Sequence, residues 1–199
     1  RDMKRALDIA AALGGLLALW PLLVVTMMLV RLTSRGPAVF TQDRIGKNGR
    51  TFTLYKLRTM HVGTEHAPTH TIGASAITPL GRLMRKSKLD ELPQLLNVLR
   101  GDMSLVGPRP CLPSQTELIE ARRRLGVLEL PPGITGLAQI RGIDMSNTAL
   151  LAATDAEYAR TRSVRRDLWI IAKTLTGFGM GADRTRGSTS KPGTDPTGR

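Results

Sequence analysis

Residues 9–30 form a stretch of about 22 residues without a charged side chain, and this stretch limits how the chain can fold. A straight helix of that length would reach about 33 Å, which is enough to cross the hydrocarbon core of a bilayer. The next residues, 31–35, contain no small-residue cleavage site of the kind that ends a secretory signal. The stretch therefore predicts a helix that stays in the membrane.

The flanks and the middle of this stretch indicate that the helix does not simply span the bilayer. Basic residues flank both ends: Arg1, Lys4 and Arg5 before it, and Arg31 and Arg35 after it. Because basic flanks favour the cytoplasmic side, both ends are expected there. Pro21 lies near the centre, where it removes a backbone hydrogen bond and kinks a helix. Residues 1–35 are therefore predicted to form a kinked, re-entrant membrane helix, with an ordinary span that tolerates a proline as the alternative.

The charge composition indicates anionic partners. The 199 residues include 29 Lys and Arg against 16 Asp and Glu, a net charge of +13. Nucleic acid, anionic lipid headgroups and phosphate-rich substrates would all suit such a surface. Aromatic side chains, which stack on bases, are only 4% of the sequence, which disfavours nucleic acid. The single cysteine, Cys111, leaves no disulfide framework and fits a reducing compartment.

The rest of the chain is predicted to form one compact, helix-rich α/β domain over residues 36–180, followed by a disordered basic tail over residues 181–199. Two extended runs, 38–42 and 51–57, predict a hairpin. Helices are predicted over residues 92–99, from the capping-box pattern at 114–117 through the solvated basic stripe at 122–124, and over 155–173. Some of these amphipathic helices, and Trp169, are expected to lie in the headgroup plane. In the polar stretch 61–78, which holds His61, His66 and His70, a solvated loop is favoured over a metal site.

Two adjacent carboxylates, Asp90 and Glu91, stand among cations at the start of the predicted helix over 92–99. The helix dipole and the upstream residues Arg85, Lys86 and Lys88 both favour the anion, so Asp90 is expected to stay ionised and able to attack phosphorus. Glu91 could supply a hard oxygen ligand for Mg²⁺. Charge complementation of a helix N-terminus is the alternative explanation of the pair.

The sequence resembles the bacterial sugar transferase family, the monotopic polyprenyl-phosphate phosphoglycosyl transferases. The resemblance covers about residues 5–173 and is carried by motifs that occur in the family's order. These motifs are LDELPQLLNVLRGDMSLVGPRP at 89–110, KRALD at 4–8, FTQDRIG at 40–46, YKLRTM at 55–60 and PGITG at 132–136.

The resemblance implies a two-step reaction. The Asp that matches Asp90 attacks the β-phosphate of a UDP-sugar, releases UMP and holds the sugar phosphate as an acyl phosphate, which a polyprenyl phosphate such as undecaprenyl phosphate then takes. Glu91 matches the second acid of the family's dyad, which binds Mg²⁺ or assists deprotonation. Further matches imply phosphate-binding roles for Arg85, Arg109, Lys56 and Arg58, and a place near the active site for Asp155.

The resemblance also implies where the protein works: at the bacterial cytoplasmic membrane, with the catalytic domain of residues 36–180 on the cytoplasmic face and against anionic lipids, in the first membrane step of glycan biosynthesis. The sequence departs from the family at Trp20, where Ser is frequent, at 139–144, on the expected sugar side, and at 61–78. The sequence does not select a donor sugar or a pathway. It is compatible with a homo-oligomer but does not fix the oligomeric state. Two other classes remain as alternatives, a non-catalytic membrane-anchored assembly protein and a basic nucleic-acid-binding protein.

Overall fold

The structure, a computed structural model, describes residues 2–63 and 76–177. His66, His70 and the predicted tail at 181–199 lie outside the described residues. The helices are α1 (Asp2–Thr33), α2 (Pro79–Ser87), α3 (Gln94–Arg100), α4 (Thr116–Arg124), α5 (Leu137–Ile140), α6 (Thr148–Thr161) and α7 (Val164–Leu175). The strands are β1 (Val39–Ile45), β2 (Thr51–Leu57), β3 (Ser104–Val106) and β4 (Gly133–Thr135). The predicted fold class is confirmed in its coarse form, a helix-rich domain with small sheets and an apolar N-terminal helix.

Helix α1 is continuous from Asp2 to Thr33, and Pro21 lies inside it. Within the described residues it is the one helix that is long and apolar enough to cross a membrane, judged by length and composition. One of its faces packs on the domain, where Asp8, Ala12, Thr26 and Val30 are buried. The opposite face is apolar and exposed, and 59% of the surface of Trp20 is accessible. The helix is therefore attached along one side and bare along the other.

The N-terminal end of α1 is fixed to the domain by charged side chains. Lys4 forms an ion pair with Asp167 of α7, with 2.6 Å between Nζ and Oδ2. One turn later, the carboxylate of Asp8 accepts hydrogen bonds from Ser104 Oγ at 2.8 Å and from the backbone N–H of Leu105 at 3.2 Å. These bonds join α1 to β3 and α7.

The C-terminal end of α1 is fixed to another part of the same domain. Val30 packs in a buried cluster with Ala38, Leu57 and Met84. Beyond the helix, the backbone carbonyl and the hydroxyl of Ser34 accept hydrogen bonds from the side chain of Arg58, which follows β2. Both ends of α1 therefore contact the body that carries the acid pair.

The predicted hairpin is confirmed. Strands β1 and β2 pair antiparallel, from Val39 opposite Leu57 to Ile45 opposite Thr51, so β1 is longer than the predicted run at 38–42. The turn between the strands uses the left-handed region at Asn48, with φ of 57°. Asparagine tolerates that region better than most residues, which explains the tight return.

The predicted helices are present with changed boundaries. The one expected over 92–99 is α3, which starts after Pro93 and ends where Gly101 adopts a φ of 95°. The capping box expected at 114–117 is wrong, because α4 has Gln115 at its N-cap and no side-chain cap hydrogen bond. The single helix expected over 155–173 is two helices, because the backbone is extended at Ser163, whose side chain caps α7 by accepting from the N–H of Arg166.

Strands β3 and β4 form a short parallel pair that carries the segment after β3 to the acid pair. The pair packs on a core of Val106, Leu130, Leu137, Tyr158 and Ile170. A Cβ on Gly133 would collide with the backbone nitrogen of Gly107. Glycine at these positions lets the two backbones touch, which explains the PGITG motif.

Candidate active site

The acid pair lies in a turn between α2 and α3. Helix α2 ends because Lys88 adopts a left-handed conformation, with φ of 61°. Leu89, Asp90 and Glu91 then form one 3₁₀ turn, and Pro93 leads into α3. The two carboxylates therefore precede α3, as expected from their place before the helix predicted over 92–99.

Asp90 is a buried carboxylate, with 6% of the residue exposed. Burial raises its pKa above the ordinary aspartate value, and the cations of Lys56, Arg85 and Lys88 only partly oppose the shift. Desolvation therefore outweighs the cations that were expected to favour the Asp90 anion. Throughout residues 2–63 and 76–177, no hydrogen bond to the Asp90 carboxylate is formed.

Glu91 is equally buried but carries its own counter-ions. Its Oε1 atom accepts from Lys56 Nζ at 3.0 Å and from Arg109 Nη2 at 3.3 Å. Burial would raise the pKa of Glu91, yet the charges of Lys56, Arg109 and Lys88 outweigh it and hold the pKa well below its usual range. Glu91 is thus a fixed anion beside Asp90. In turn, burial lowers the pKa of Lys56 although Glu91 favours its charged form.

Lys56 and Arg109, the two cations bound to Glu91, have further N–H groups that can bind another anion. The side chain of Lys56 is 20% exposed and that of Arg109 is 37% exposed, whereas Glu91 is 10% exposed. Each therefore reaches solvent from the edge of a buried anion. An anionic substrate that approaches Asp90 would meet positive charge on this side.

Comparison with known proteins fits this arrangement. A model of the family described as "Bacterial sugar transferase" matches residues 1–180. The chain belongs to the bacterial sugar transferase family. The resemblance given by the sequence motifs is confirmed, and so is the predicted enzyme class, a glycosyl-1-phosphate transferase.

Three similar proteins illustrate the relationship. A UDP-glucose:undecaprenyl-phosphate glucose-1-phosphate transferase of Caulobacter vibrioides is 42% identical over 184 residues, which are 86% of this chain and 68% of that protein. A UDP-N-acetylgalactosamine-undecaprenyl-phosphate N-acetylgalactosaminephosphotransferase of Aeromonas hydrophila is 37% identical over 195 residues, 89% of this chain and 44% of that protein. The exopolysaccharide production protein ExoY of Sinorhizobium fredii is 35% identical over 189 residues, 86% of this chain and 83% of that protein.

The sugar transferase brings three of the residues named from the sequence to the pair. Lys56 and Arg109 bind Glu91 directly, and the charge of Arg85 acts on Asp90. The Nε atom of Arg85 also donates to Thr59 Oγ1 at 2.9 Å, which holds the side chain against the end of β2. The residues come from β2, α2 and the segment after β3, three parts of the sequence that the motifs had joined only by order.

Arg58 is not among the contacts of the acid pair. It is buried, and its Nη2 atom donates to Ser34 at 3.0 Å on the carbonyl and 2.8 Å on the hydroxyl. As far as the described residues extend, its Nε and Nη1 atoms have no partner. The transferase places this arginine at the exit of α1, where it fixes the turn before Gly36. The predicted phosphate contact of Arg58 has no support in these contacts.

Asp155 is closed off by an arginine that the sequence did not single out. Arg122 Nη2 lies 2.7 Å from Asp155 Oδ2, and both side chains are 3% exposed. Arg122 was expected on a solvated stripe, which is wrong for this residue, although Arg123 and Arg124 are exposed as expected. A run of three arginines does not reveal which of them faces α6, because the packing of α4 determines that.

Other residues that bear on the site were missed for the same reason. Asp167 accepts from Lys4 and from Tyr158 Oη, at 2.6 and 2.7 Å, so Tyr158 is a packed aromatic within the network that holds α1. Arg44 lies in the FTQDRIG motif, and burial together with the charge of Arg109 lowers its pKa to about 10. The motif itself was the available signal for Arg44. The departure at 139–144 places Arg141 on Glu157, with Nη2 2.9 Å from Oε1.

The carboxylate oxygens of Asp90 and Glu91 are suitable ligands for a magnesium ion. Mg²⁺ is commonly held by one or two carboxylates together with substrate phosphates and water. The described side chains occupy only one oxygen of Glu91 and none of Asp90. The described residues contain no group of three or more acidic, histidine or cysteine side chains, so such an ion would depend on substrate oxygens. His61 is described outside any such group, and His66 and His70 lie beyond the described residues.

Proposed function

We propose that this sugar transferase moves a sugar phosphate from a UDP-sugar to undecaprenyl phosphate. An oxygen of Asp90 attacks the β-phosphorus, the bond from that phosphorus to the bridging oxygen breaks, and UMP leaves with the bridging electrons. An oxygen of the acceptor phosphate then attacks the aspartyl phosphate, which restores the carboxylate and gives polyprenyl-diphosphate-sugar. The names of the Caulobacter and Aeromonas relatives support this donor and acceptor class.

The observation that carries the proposal is the difference between the two carboxylates. Glu91 already has two cations on one oxygen, whereas Asp90 is buried and has none within hydrogen-bond distance in the described part of the chain. A desolvated carboxylate that no donor masks is the better nucleophile, because it need not break protein hydrogen bonds to attack. Asp90 therefore acts as the nucleophile and Glu91 as the neighbouring fixed anion.

The cations balance the charge that the substrate brings. A diphosphate that approaches Asp90 and Glu91 meets two negative charges, and this repulsion would oppose attack. Lys56, Arg85 and Arg109 offset it, and the fork of Arg109 can bind two phosphate oxygens at once. A Mg²⁺ ion held by Asp90 or Glu91 would supply further charge neutralisation of the diphosphate.

The structure supports a membrane arrangement in which α1 enters and returns. The hydrocarbon core is about 30 Å thick, so a spanning helix places its ends on opposite faces. Lys4 and Asp8 at one end and Val30 and Ser34 at the other contact one domain, which favours both ends on the cytoplasmic face. We place the bare face of α1 in the lipid of the inner membrane.

Helix α7 and the end of α1 extend this apolar surface. Leu168, Trp169 and Leu175 are exposed by 60%, 48% and 82%, beside the basic residues of the same helix. A groove of about 550 Å³ runs along the last turns of α1 and is lined by apolar side chains and Arg31. Helices of this kind lie in the plane of anionic headgroups, which accounts for part of the +13 charge.

The reaction is tested by mixing detergent-solubilised protein with undecaprenyl phosphate, Mg²⁺ and a panel of UDP-sugars, and measuring UMP. Without the acceptor, a radiolabelled sugar phosphate should remain attached to the protein and be lost from the Asp90→Ala variant. Release of UMP by the variant at the wild-type rate, or no release by the wild type with any donor, would contradict the proposal.

The membrane arrangement is tested with cysteines placed at Met3 and Leu32, which are 67% and 80% exposed at the two ends of α1. Buried Cys111 serves as the unlabelled background. In cells, an impermeant thiol reagent added outside should label neither position until the membrane is opened. Labelling of only one position from outside would show a spanning helix.

A further inference from the structure

The segment that presents Arg109 to Glu91 is held at four successive carbonyls. Each carbonyl from Pro108 to Cys111 accepts one hydrogen bond, at 2.9 Å, 2.9 Å, 3.2 Å and 2.9 Å in chain order. The donors, in the same order, are Gly133 N, Arg122 Nη1, Arg44 Nη1 and Ile45 N. Two are backbone groups of the neighbouring strands, and two are guanidinium groups.

The guanidinium groups are needed because of the sequence of the segment. Pro108 and Pro110 have no N–H, so neither of the residues that flank Arg109 can donate a backbone hydrogen bond to a neighbouring strand. The carbonyl of Arg109 depends on a side-chain donor for a fixed position. Arg122 supplies it from α4, which packs on α6.

Arg122 is itself fixed by Asp155. Its Nε and Nη2 atoms donate to Asp155 Oδ2 at 3.0 and 2.7 Å, which leaves Nη1 directed at the Arg109 carbonyl. With both side chains 3% exposed, the pair has no access to a substrate. A buried ion pair is a weak source of net stability, since apolar side chains of similar volume do as well. What apolar side chains cannot do is donate to that carbonyl.

We propose that Arg122 and Asp155 are positioning residues that fix Arg109, and through it Glu91, for the phosphoryl transfer. Asp155 orients Arg122, Arg122 anchors the Arg109 backbone, and the Arg109 side chain binds Glu91 Oε1. Displacing a substrate-binding group by about 1 Å costs on the order of 100-fold in rate, which makes such an anchor valuable. The activity part of this inference rests on the proposed function.

A double-mutant cycle tests whether the pair acts through Arg109. Asp155→Asn should lower kcat/KM about 30-fold in the wild-type background and less than about threefold in the Arg109→Ala background, since the anchored side chain is then absent. Glu157→Gln is the matched control, because Glu157 lies two residues away on α6 and binds Arg141 and Arg166 instead. Equal losses in the two backgrounds would overturn the proposal.

The variant Arg122→Met with Asp155→Leu separates positioning from stability. It should retain the melting temperature of the wild type to within a few degrees, because the buried volume is filled, yet lose activity as Arg109→Ala does. Full activity in this folded variant would overturn the proposal.

Cys111 gives a readout that does not depend on the reaction. It is the chain's single cysteine and is fully buried within the held segment. In full-length, detergent-solubilised protein, a thiol reagent such as DTNB should react about tenfold faster with the Met/Leu variant, and at the wild-type rate with Glu157→Gln and Arg109→Ala. An unchanged rate in the Met/Leu variant would overturn the anchoring role even if the wild type released no UMP, an outcome that would separately remove the proposed function.

Discussion

Two buried clusters in this protein pair a carboxylate with arginine, and they differ in how many cations each receives. Among the residues that the structure describes, Arg122 is the one cation bonded to Asp155, and burial raises the pKa of Asp155 despite that partner. Glu91 has Lys56, Arg109 and the nearby charge of Lys88, and its pKa lies well below the usual range. The first cluster is balanced and sealed, whereas the second has spare positive charge that reaches solvent. That surplus is what an anionic substrate can use.

The largest effect should come from Asp90, the acid to which no cation is bonded within residues 2–63 and 76–177. Asp90→Asn keeps the shape of the side chain but removes the nucleophile, so UMP release should fall by at least about a thousandfold. The measurement is initial UMP release with undecaprenyl phosphate. A fall of less than tenfold would mean that Glu91 or water performs the attack.

The sealed cluster of Asp155 and Arg122 should contribute to the free energy of unfolding through its charge balance. Asp155→Ala leaves Arg122 buried without a counter-ion, which should lower the free energy of unfolding by about 3–5 kcal/mol. Denaturant unfolding followed by circular dichroism measures this difference. A change below about 1 kcal/mol would show that water reaches Arg122 and that the cluster is not sealed.

Glu91→Gln should affect the open cluster less than Asp90→Asn does. The amide keeps a hydrogen-bond acceptor for Lys56 and Arg109 but removes the charge that holds them, so kcat/KM should fall by about 100-fold. The stability loss should be smaller than for Asp155→Ala, because both cations can turn to solvent. A larger stability loss than for Asp155→Ala would reverse the comparison.

The acid side of the pH–rate profile should report Asp90 rather than Glu91. The pKa of Asp90 is raised, so the attacking anion is lost as the pH falls through that raised value, and the rate then drops about tenfold per unit. Glu91, with its lowered pKa, stays ionised across this range. In Glu91→Gln the acid limb should move to lower pH, because a neighbouring negative charge is gone. A shift to higher pH would contradict the assignment.

The smallest effect is expected at an exposed pair on the outer side of α4. Glu120 binds Arg123 and Arg124 at 2.7 and 3.2 Å, with all three side chains largely exposed. Glu120→Gln should change unfolding stability by less than about 0.5 kcal/mol and leave UMP release unchanged. A loss comparable to that of Asp155→Ala would show that exposure does not separate the clusters.

Local patterns allowed much of this molecule to be predicted. The apolar run predicts α1, the paired extended runs predict the β1–β2 hairpin, and the family resemblance implies that Lys56, Arg85 and Arg109 serve the site of Asp90 and Glu91. Each of these is a feature of neighbouring residues or of a whole motif.

Features set by packing could not be predicted in the same way. Lys4 and Asp167 lie 163 positions apart, and nothing between them indicates that they meet. The burial that raises the pKa of Asp90 depends on elements from several parts of the chain, whereas the helix-dipole argument considered only its neighbours. Arg58 shares a motif with Lys56, yet the turn after α1 determines its partner.

The two attachments of α1 have a consequence for how this enzyme meets its acceptor. A domain tethered at a single point can swing, whereas one held at Lys4 and again at Ser34 keeps the 3₁₀ turn of Asp90 at a constant height relative to the apolar face of the helix. In the proposed arrangement, which puts that face in lipid, only lateral travel remains free. The encounter becomes a search in two dimensions, whose frequency depends on the acceptor's density in the leaflet rather than on its concentration in solution.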